Sequence, residues 1–191
     1  MTITRLQRTA AAAAALALPA SLAFLAPQAQ AQTPAEPFGP ACSSVPSEGP
    51  GSLQGMAKDP VATAASNNPE LSTLVSAVKK AGLVDTLNNA KNVTVFAPTN
   101  DAFKKIPKAD LDKLLNNKAE LTKVLTYHVV GEKLTTKQLA DGSYKTLEGS
   151  NLTTKGSGTS YTVNDSAKIV CGNVPTANAT VNLIDTVLMP S

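Results

Sequence analysis

His128 is the only histidine of the chain and the side chain best suited to proton transfer. Together with an activated serine and an acid it could complete a catalytic triad. Its neighbours Leu125 and Val129–Val130 are apolar, and a buried neutral imidazole needs a partner for each ring nitrogen. The sequence therefore favours a structural histidine at a helix-to-strand turn, and we expect its partners among the side chains of Thr99–Asp101.

Catalysis by a serine nucleophile has little further support. The Gly-x-Ser-x-Gly elbow that presents such a serine does not occur, and the many serines fall in arms and turns. We therefore predict that the protein is not an enzyme. Tyr127 fits a surface contact or a core aromatic with a tethered hydroxyl equally well. We keep Tyr127 and His128 as possible interaction residues.

Two carboxylates, Asp101 and Asp185, are the other groups that could do chemistry. As a pair they could act as general acids or hold a metal ion. No run of alternating acidic residues, of the kind that ligates calcium, accompanies either one. We expect Asp101 to cap a helix and Asp185 to end a strand or order a turn. We predict neither a metal nor another cofactor.

Cys42 and Cys171 are the two cysteines of the chain. In a reducing compartment they would be buried thiols, whereas in an exported protein a single disulfide is favoured. Closing so long a loop would stabilise the fold by roughly 4–5 kcal/mol in the chain-entropy model. The spacing is not that of a CxxC redox or zinc motif. We predict a disulfide that ties the N-terminal segment to the body of the fold.

The first residues indicate export. Arg5 and Arg8 precede an unbroken run of small and apolar residues over 10–26, and Ala29-Gln30-Ala31 offers a small-x-small cleavage site. This order is that of a secretory signal peptide, which we assign to residues 1–31. A membrane anchor is disfavoured because the run is shorter than the ~20 residues that span a bilayer. We expect a secreted, extracellular protein without a membrane span.

Loss of that segment removes two of the 17 basic residues and none of the 14 acidic ones, which leaves a net charge of about +1 and no arginine. Arginine supplies the bidentate fork that grips phosphate. Nucleic acid is therefore not an expected partner. The remaining length suits one domain, which we expect to be a monomer.

Residues 32–55 are rich in proline, glycine and serine, which predicts an irregular arm ordered mainly by the cysteine bridge. Beyond it, the helical spacing of apolar residues predicts several helices. The first predicted helix begins at 59, with Asp59 as a candidate cap, and the second runs from 69 to its end at Gly82. Four more are predicted at 99–103, 110–116, 119–127 and 136–140. We expect residues 83–87 to form an apolar turn.

Short β-branched and aromatic runs between turn residues predict strands. The predicted strands lie at 93–97, 144–147, 152–155, 161–163, 168–171, 181–184 and 186–188. Because most helices precede most strands along the chain, we predict an α+β domain rather than alternating βαβ units.

Three blocks of the sequence resemble the signatures of the fasciclin domain family. TVFAPTNDAF at Thr94–Phe103 is similar to the first signature, Tyr127-His128 to the central pair, and VNLIDTVLMP at Val181–Pro190 to the second signature. The structural signature residues that this resemblance implies are Thr94, Phe96, Pro98, Thr99, Asn100, Asp101, Phe103, Ile184, Asp185, Leu188 and Pro190. Three blocks in the right order are a far more specific signal than one.

The resemblance implies a single fasciclin-like domain over residues 56–190, a β-wedge or sandwich of short strands flanked by several α-helices. Gly55–Leu74, Leu125–Val130 and Val170–Val181 are similar to segments of exported actinobacterial members of the family. In those members one disulfide joins an N-terminal arm to the late part of the domain. The two cysteines of this chain occupy the matching places.

Fasciclin domains are associated with cell adhesion and with contacts to surfaces and matrix. The resemblance thus implies a secreted, non-enzymatic interaction module whose partner is a cell-surface or matrix protein or glycan. Neither an Arg-Gly-Asp tripeptide nor the acidic Asp-Ile motif of integrin-binding animal domains occurs before the second signature, so integrin binding does not transfer. The alternative is an exported carrier of a small apolar ligand or lipid, which a deep apolar pocket would favour and a solid core would oppose.

Overall fold

A seven-stranded sheet organises residues 36–190, the part of the chain that the computed structural model describes. The strands are β1 (Val93–Pro98), β2 (Val129–Val130), β3 (Asp141–Lys145), β4 (Asn151–Ser157), β5 (Ser160–Val163), β6 (Ala167–Pro175) and β7 (Ala179–Ile184). They lie side by side in the order β2-β1-β7-β6-β5-β4-β3. The predicted signal peptide, residues 1–31, lies outside the described residues.

Helices account for most of the chain between the arm and the later strands. They are α1 (Leu53–Met56), α2 (Val61–Ser66), α3 (Ser72–Ala81), α4 (Val84–Asn89), α5 (Asn100–Lys104), α6 (Lys108–Asn116), α7 (Lys118–Tyr127) and α8 (Thr136–Ala140), with 3-10 turns at Pro40–Ser44 and Pro69–Leu71. Across residues 36–190, no helix has the length and apolar character needed to cross a membrane. The predicted α+β class is confirmed, and the described residues belong to one compact unit.

The centre of the sheet is a parallel pair, β1 and β7. Their register runs from Val93 opposite Ala179 to Pro98 opposite Ile184, whereas the other neighbouring strands are antiparallel. Every residue of these two strands is buried. Strands covered on both faces are expected to be almost continuously apolar, and β1 and β7 largely follow that rule.

Each face of the central pair packs into its own hydrophobic cluster. Val95 and Leu183 face the cluster that includes the buried side of α2, α3 and α7. The alternate residues Phe96 and Ile184 face a second cluster, which includes Leu152 on β4. Because successive side chains on a strand point to opposite faces, the two strands anchor both halves of the core at once.

The two ends of the sheet come together. Thr146, just beyond β3, forms a bridge with Val130 of β2, and the Leu147 amide donates to the Val129 carbonyl at 2.8 Å. Shifts of register interrupt the pairing of β6 with β7 on either side of Cys171, and such bulges bend a strand. β6 therefore turns from β7 at one end to β5 at the other, and the sheet curls toward closure.

Several local predictions are wrong where distant contacts decide the structure. Residues 84–89 form helix α4 rather than a turn, and β3 begins at Asp141, three residues before the predicted strand. The segment 186–188 is not a strand, because the Leu188 amide donates to a side chain, that of His128, instead of to a neighbouring strand. The two-residue strand β2 was not predicted.

The start of α2 also differs from expectation. Asp59 does not cap the helix; the cap position is held by Pro60, which supplies no side-chain hydrogen bond. Instead the Val61 amide donates to Asn178 Oδ1 at 2.8 Å, and the Ala62 amide donates to Asn88 Oδ1 at 3.0 Å. Side chains from remote elements thus satisfy amides that a local cap would otherwise serve.

Candidate functional site

His128 joins the three signature blocks through hydrogen bonds. It follows α7 directly, and its residue is 2% exposed. Nδ1 lies 2.7 Å from the Val124 carbonyl, and Nε2 lies 3.0 Å from the Leu188 amide. A carbonyl only accepts and an amide only donates, so Nδ1 carries the proton and Nε2 is the acceptor. The backbone carbonyl of His128 accepts from the Phe96 amide at 2.8 Å, so one residue connects the first and second signatures.

The partners expected for His128 among Thr99–Asp101 were wrong. Its ring bonds instead to two backbone groups, one on its own helix and one in the second signature. Burial lowers the pKa of His128 to about 4, against a smaller opposing effect of the Val124 carbonyl. The ring is therefore neutral near pH 7 with both nitrogens occupied. A general base needs a nitrogen within reach of a substrate, and this geometry offers none.

Tyr127 is also inside the fold, 4% exposed. Its hydroxyl donates to the Asn151 carbonyl at 3.1 Å and accepts from Asn164 Nδ2 at 2.8 Å. The residue thereby connects α7 to β4 and to the turn after β5. The structure favours the core interpretation of Tyr127 and His128, because neither side chain is free to meet a partner at the surface.

The first signature positions neighbouring elements with its polar side chains. Thr94, fully buried on β1, donates to the Glu132 carbonyl and accepts from the Leu134 amide, both at 2.8 Å. Asn100 accepts from the Thr73 amide at 3.0 Å and donates to the Pro69 carbonyl at 2.8 Å. These contacts fix the loop after β2 and tie α5 to the start of α3.

The cap of helix α5 is Thr99 and not Asp101. The Thr99 hydroxyl accepts from the Ala102 amide at 3.4 Å. Asp101 lies exposed in the first turn, where its carboxylate pairs with Lys104 at 2.7 Å. The hydrogen bond from Lys104 lowers the pKa of Asp101. A carboxylate suits the positive end of the helix dipole in this position.

Asp185 orders the turn that follows β7. Its Oδ1 accepts from the Lys168 amide at 2.8 Å, and its Oδ2 pairs with Lys105 Nζ at 3.0 Å. Burial raises the pKa of Asp185, but the hydrogen bonds from Lys168, Lys105 and Thr186 outweigh it, so the pKa lies below its ordinary value. Asp101 and Asp185 are thus engaged with different lysines, and residues 36–190 contain no cluster of three or more potential metal ligands.

The other signature residues supply packing. Phe96, Ile184 and Leu188 belong to the second cluster, Phe103 belongs to the first, Pro98 is buried at the end of β1, and Pro190 is half-buried. The signature blocks therefore hold the central strands, their caps and the turn after β7 in place.

The predicted disulfide joins Cys42 to Cys171 with a Cα–Cα distance of 4.9 Å. Beside it, Phe38 and Gly172 exchange two backbone hydrogen bonds, of 3.1 and 2.7 Å. The Phe38 ring lies against the α-carbon of Gly172, where a larger residue would clash with it. The described part of the arm is thus held to β6 by the disulfide, by these two hydrogen bonds and by one from Asn173 Nδ2 to the Glu36 carbonyl at 3.4 Å.

The sequence did not predict the exposed hydrophobic side chains near the central pair. Within residues 36–190, the exposed large hydrophobic side chains are Leu147, 46% exposed, and Met189, 49% exposed. Leu147 bonds through its amide to Val129, and Met189 follows the residue that bonds to His128. A leucine at the end of a strand-like run is ordinarily assigned to the core, so no sequence signal marked it.

The fold is that of a FAS1 domain. A solved structure with a similar fold is the FAS1 domain pair of the insect cell adhesion molecule Fasciclin I, with a TM-score of 0.57 and 19% sequence identity. The match covers 71% of this chain and 52% of that one, so the chain spans about half of the domain pair. At this identity the likeness concerns the fold alone.

The family assignment comes from the sequence. The model of the Fasciclin domain matches residues 69–190, and the chain belongs to the fasciclin domain family. It is 49% identical over 170 residues to the cell surface glycolipoprotein MPB83 of Mycobacterium bovis, covering 85% of this chain and 76% of that protein. It is also 49% identical over 160 residues to the immunogenic protein MPB70 of the same species, covering 80% and 81%. The expected resemblance is confirmed, and the chain is an extracellular protein.

Proposed function

We propose that this chain is an extracellular interaction module that binds a cell-surface or matrix protein or glycan and catalyses no reaction. The observation that carries this proposal is that the potentially reactive side chains are already engaged in bonds within the fold. Both nitrogens of His128 are bonded within the fold, and Asp185 is bonded to an amide and a lysine. No free nucleophile–base pair is left in the signature blocks to perform a reaction.

Similar proteins support an interaction role. One relative is named a cell surface glycolipoprotein, and the domain pair of similar fold comes from a cell adhesion molecule. We propose that this chain likewise acts through contacts at a surface, as a monomer and without nucleic acid.

The proposed contact surface surrounds Leu147. A shallow groove of about 310 Å³ runs beside it and includes Glu132, Lys145 and Thr146. An exposed aliphatic side chain flanked by charges of both signs suits a protein surface, where an apolar centre with a polar rim is the usual arrangement. Val129, whose carbonyl accepts from the Leu147 amide at 2.8 Å, directly follows the buried pair Tyr127 and His128.

Capture by immobilised candidates tests the proposal. The disulfide-intact protein would be passed over an array of extracellular matrix proteins, cell-wall glycans and surface proteins, with Leu147→Ser as the test variant. Ala109→Ser, on the exposed side of α6, is the control. We expect capture that Leu147→Ser weakens at least tenfold and that the control preserves. Failure of the array to retain the wild-type protein above an unrelated domain would contradict the adhesion role.

A second candidate function is the carriage of a small apolar ligand. It is favoured by an apolar cavity of about 40 Å³ between the helices and the sheet. Ligand sites for drug-sized molecules occupy about 300–1,000 Å³, so this cavity in its present form holds no whole lipid. The carrier function is therefore restricted to a ligand that inserts only a small apolar part.

A further inference from the structure

The cavity lies in the first hydrophobic cluster, under the helical layer. Ala64 of α2 and Leu71 form part of its outer wall, and Val95 of β1 and Leu183 of β7 form part of its floor. These four residues are each at most 7% exposed. The cavity thus reaches from the helices to the central strands.

Water finds fewer hydrogen-bond partners in this cavity than a buried water ordinarily makes. The polar residues in its lining are Ser66 and Thr176, and both hydroxyls are already bonded to backbone groups. Ser66 donates to the Ala62 carbonyl at 2.8 Å, and Thr176 exchanges two hydrogen bonds of 3.0 Å with Ala179. A buried water ordinarily makes about three hydrogen bonds. The cavity therefore favours apolar contents over water.

The cavity has an entrance between three helices. Ala65 of α2, Val75 of α3 and Val84 of α4 line it and are each only half-buried. Side chains from separate helices form this wall, so an incoming group displaces side-chain contacts and breaks no strand pairing. The other end of α2 is fixed by the Asn178 and Asn88 side chains.

We propose, on the footing of the second candidate function, that this cavity binds the end of one unbranched alkyl chain. The terminal carbons occupy the space above Val95 and Leu183, and the following methylenes leave between Ala65 and Val75. The small side chains of α2 make room for a narrow chain, whereas an engineered apolar cavity that holds benzene has about 150 Å³. A polar headgroup stays in solvent outside the helices.

The site predicts a dependence on chain length. Each methylene that enters an apolar site contributes enough free energy to raise affinity about fourfold. The affinity of straight-chain alcohols should therefore increase about fourfold for each methylene that still reaches the cavity or its entrance, and should level off once further methylenes lie in solvent. Non-specific adsorption at the surface would not shift the methyl resonances of buried Val95 and Leu183.

The experiment titrates the disulfide-intact protein with butanol, hexanol and octanol and follows the methyl resonances of Val95 and Leu183 by NMR. Ala64→Val fills the cavity and should weaken octanol binding at least tenfold. Thr63→Ser, on the exposed face of the same helix, keeps the hydroxyl that accepts from Asn88; it is the matched control and should leave binding unchanged. If Ala64→Val fails to fold, Ala65→Leu at the entrance serves in its place and should produce the same loss.

Absence of methyl shifts at the solubility limit of octanol would overturn the proposal. So would octanol binding that the folded cavity variants leave unchanged. Capture by a surface partner is expected to be the same for Ala64→Val and wild type. Failure of the alkyl site and failure of the adhesion role can therefore be distinguished.

Discussion

The central strands β1 and β7 and the outer strands β3, β4 and β5 differ in what they expose. Every residue of the central pair is buried, whereas burial alternates with exposure along the outer strands. The family signatures coincide with the central pair and its caps, and the exposed Leu147 follows the outer strand β3. The most recognisable part of the sequence therefore builds a scaffold, while the surface free for contacts belongs to its surroundings.

Two elements connect these regions. Strand β6 pairs with β7 along one part and with β5 along another, and it carries Cys171 of the disulfide. Tyr127 bonds through its hydroxyl to Asn151 and Asn164. Changes at these links and at His128 should separate the contributions of the two regions.

Removal of the disulfide should produce the largest effect. The double change Cys42→Ser and Cys171→Ser is expected to lower the free energy of unfolding by about 4 kcal/mol, because it frees a loop of 129 residues in the unfolded chain. Urea unfolding under oxidising conditions measures it, with Ser43→Ala as the control. A loss below about 1 kcal/mol would mean that the arm does not stabilise β6.

Replacement of His128 should affect the central region most. His128→Ala removes a buried ring and leaves the Val124 carbonyl and the Leu188 amide without their partner, at an expected cost of about 3–4 kcal/mol. Thermal unfolding measures the loss, and Lys123→Ala on the exposed side of α7 is the control. An unchanged melting temperature would contradict the structural role of the imidazole.

Stability should also decrease in acid through His128. Its pKa in the folded chain is about 4, below its ordinary value of 6.5, so the unfolded chain takes up the proton first as the pH falls. This contribution is complete above pH 6.5 and is lost between pH 6.5 and 4, which amounts to about 3 kcal/mol. Unfolding curves across that range measure it. The same pH dependence in His128→Ala would assign the effect to other groups.

Tyr127→Phe should have the smallest effect and sharpen the comparison. It removes two hydrogen bonds between α7 and the outer strands, for an expected loss of about 1–2 kcal/mol. Hydrogen exchange should speed up in β4 and β5 more than in β1 and β7. Tyr161→Phe is the matched control, because the hydroxyl of this buried tyrosine makes no hydrogen bond within residues 36–190. Equal acceleration of hydrogen exchange in all four strands would show that Tyr127 does not stabilise the outer strands selectively.

Local signals explain which elements the sequence predicts. Strand β1 follows from a β-branched run, and α3 ends at Gly82, whose φ of 74° is the left-handed conformation that favours glycine. The start of α2 could not be predicted in detail, because its amides bond to Asn88 and Asn178. These partners lie 26 and 117 residues away in the chain, and no local pattern reports them.

The candidate site, too, could be predicted from the sequence only in part. The apolar neighbours of His128 indicate burial, but its partner Leu188 lies 60 residues away. The same contact prevents residues 186–188 from forming the strand that their composition predicts. Exposure of Leu147 and the cavity beneath α2 depend on how distant elements pack, and neither has a signature in the sequence.

His128, the only histidine of the chain, is a neutral residue that connects the signature blocks through hydrogen bonds and is not a reactive group. Titration of its ring nitrogens by ¹⁵N NMR tests this most directly. We predict the tautomer with the proton on Nδ1 at neutral pH and a midpoint near pH 4, as burial requires. A midpoint near the ordinary 6.5, with both tautomers in exchange, would show an accessible ring and contradict the account.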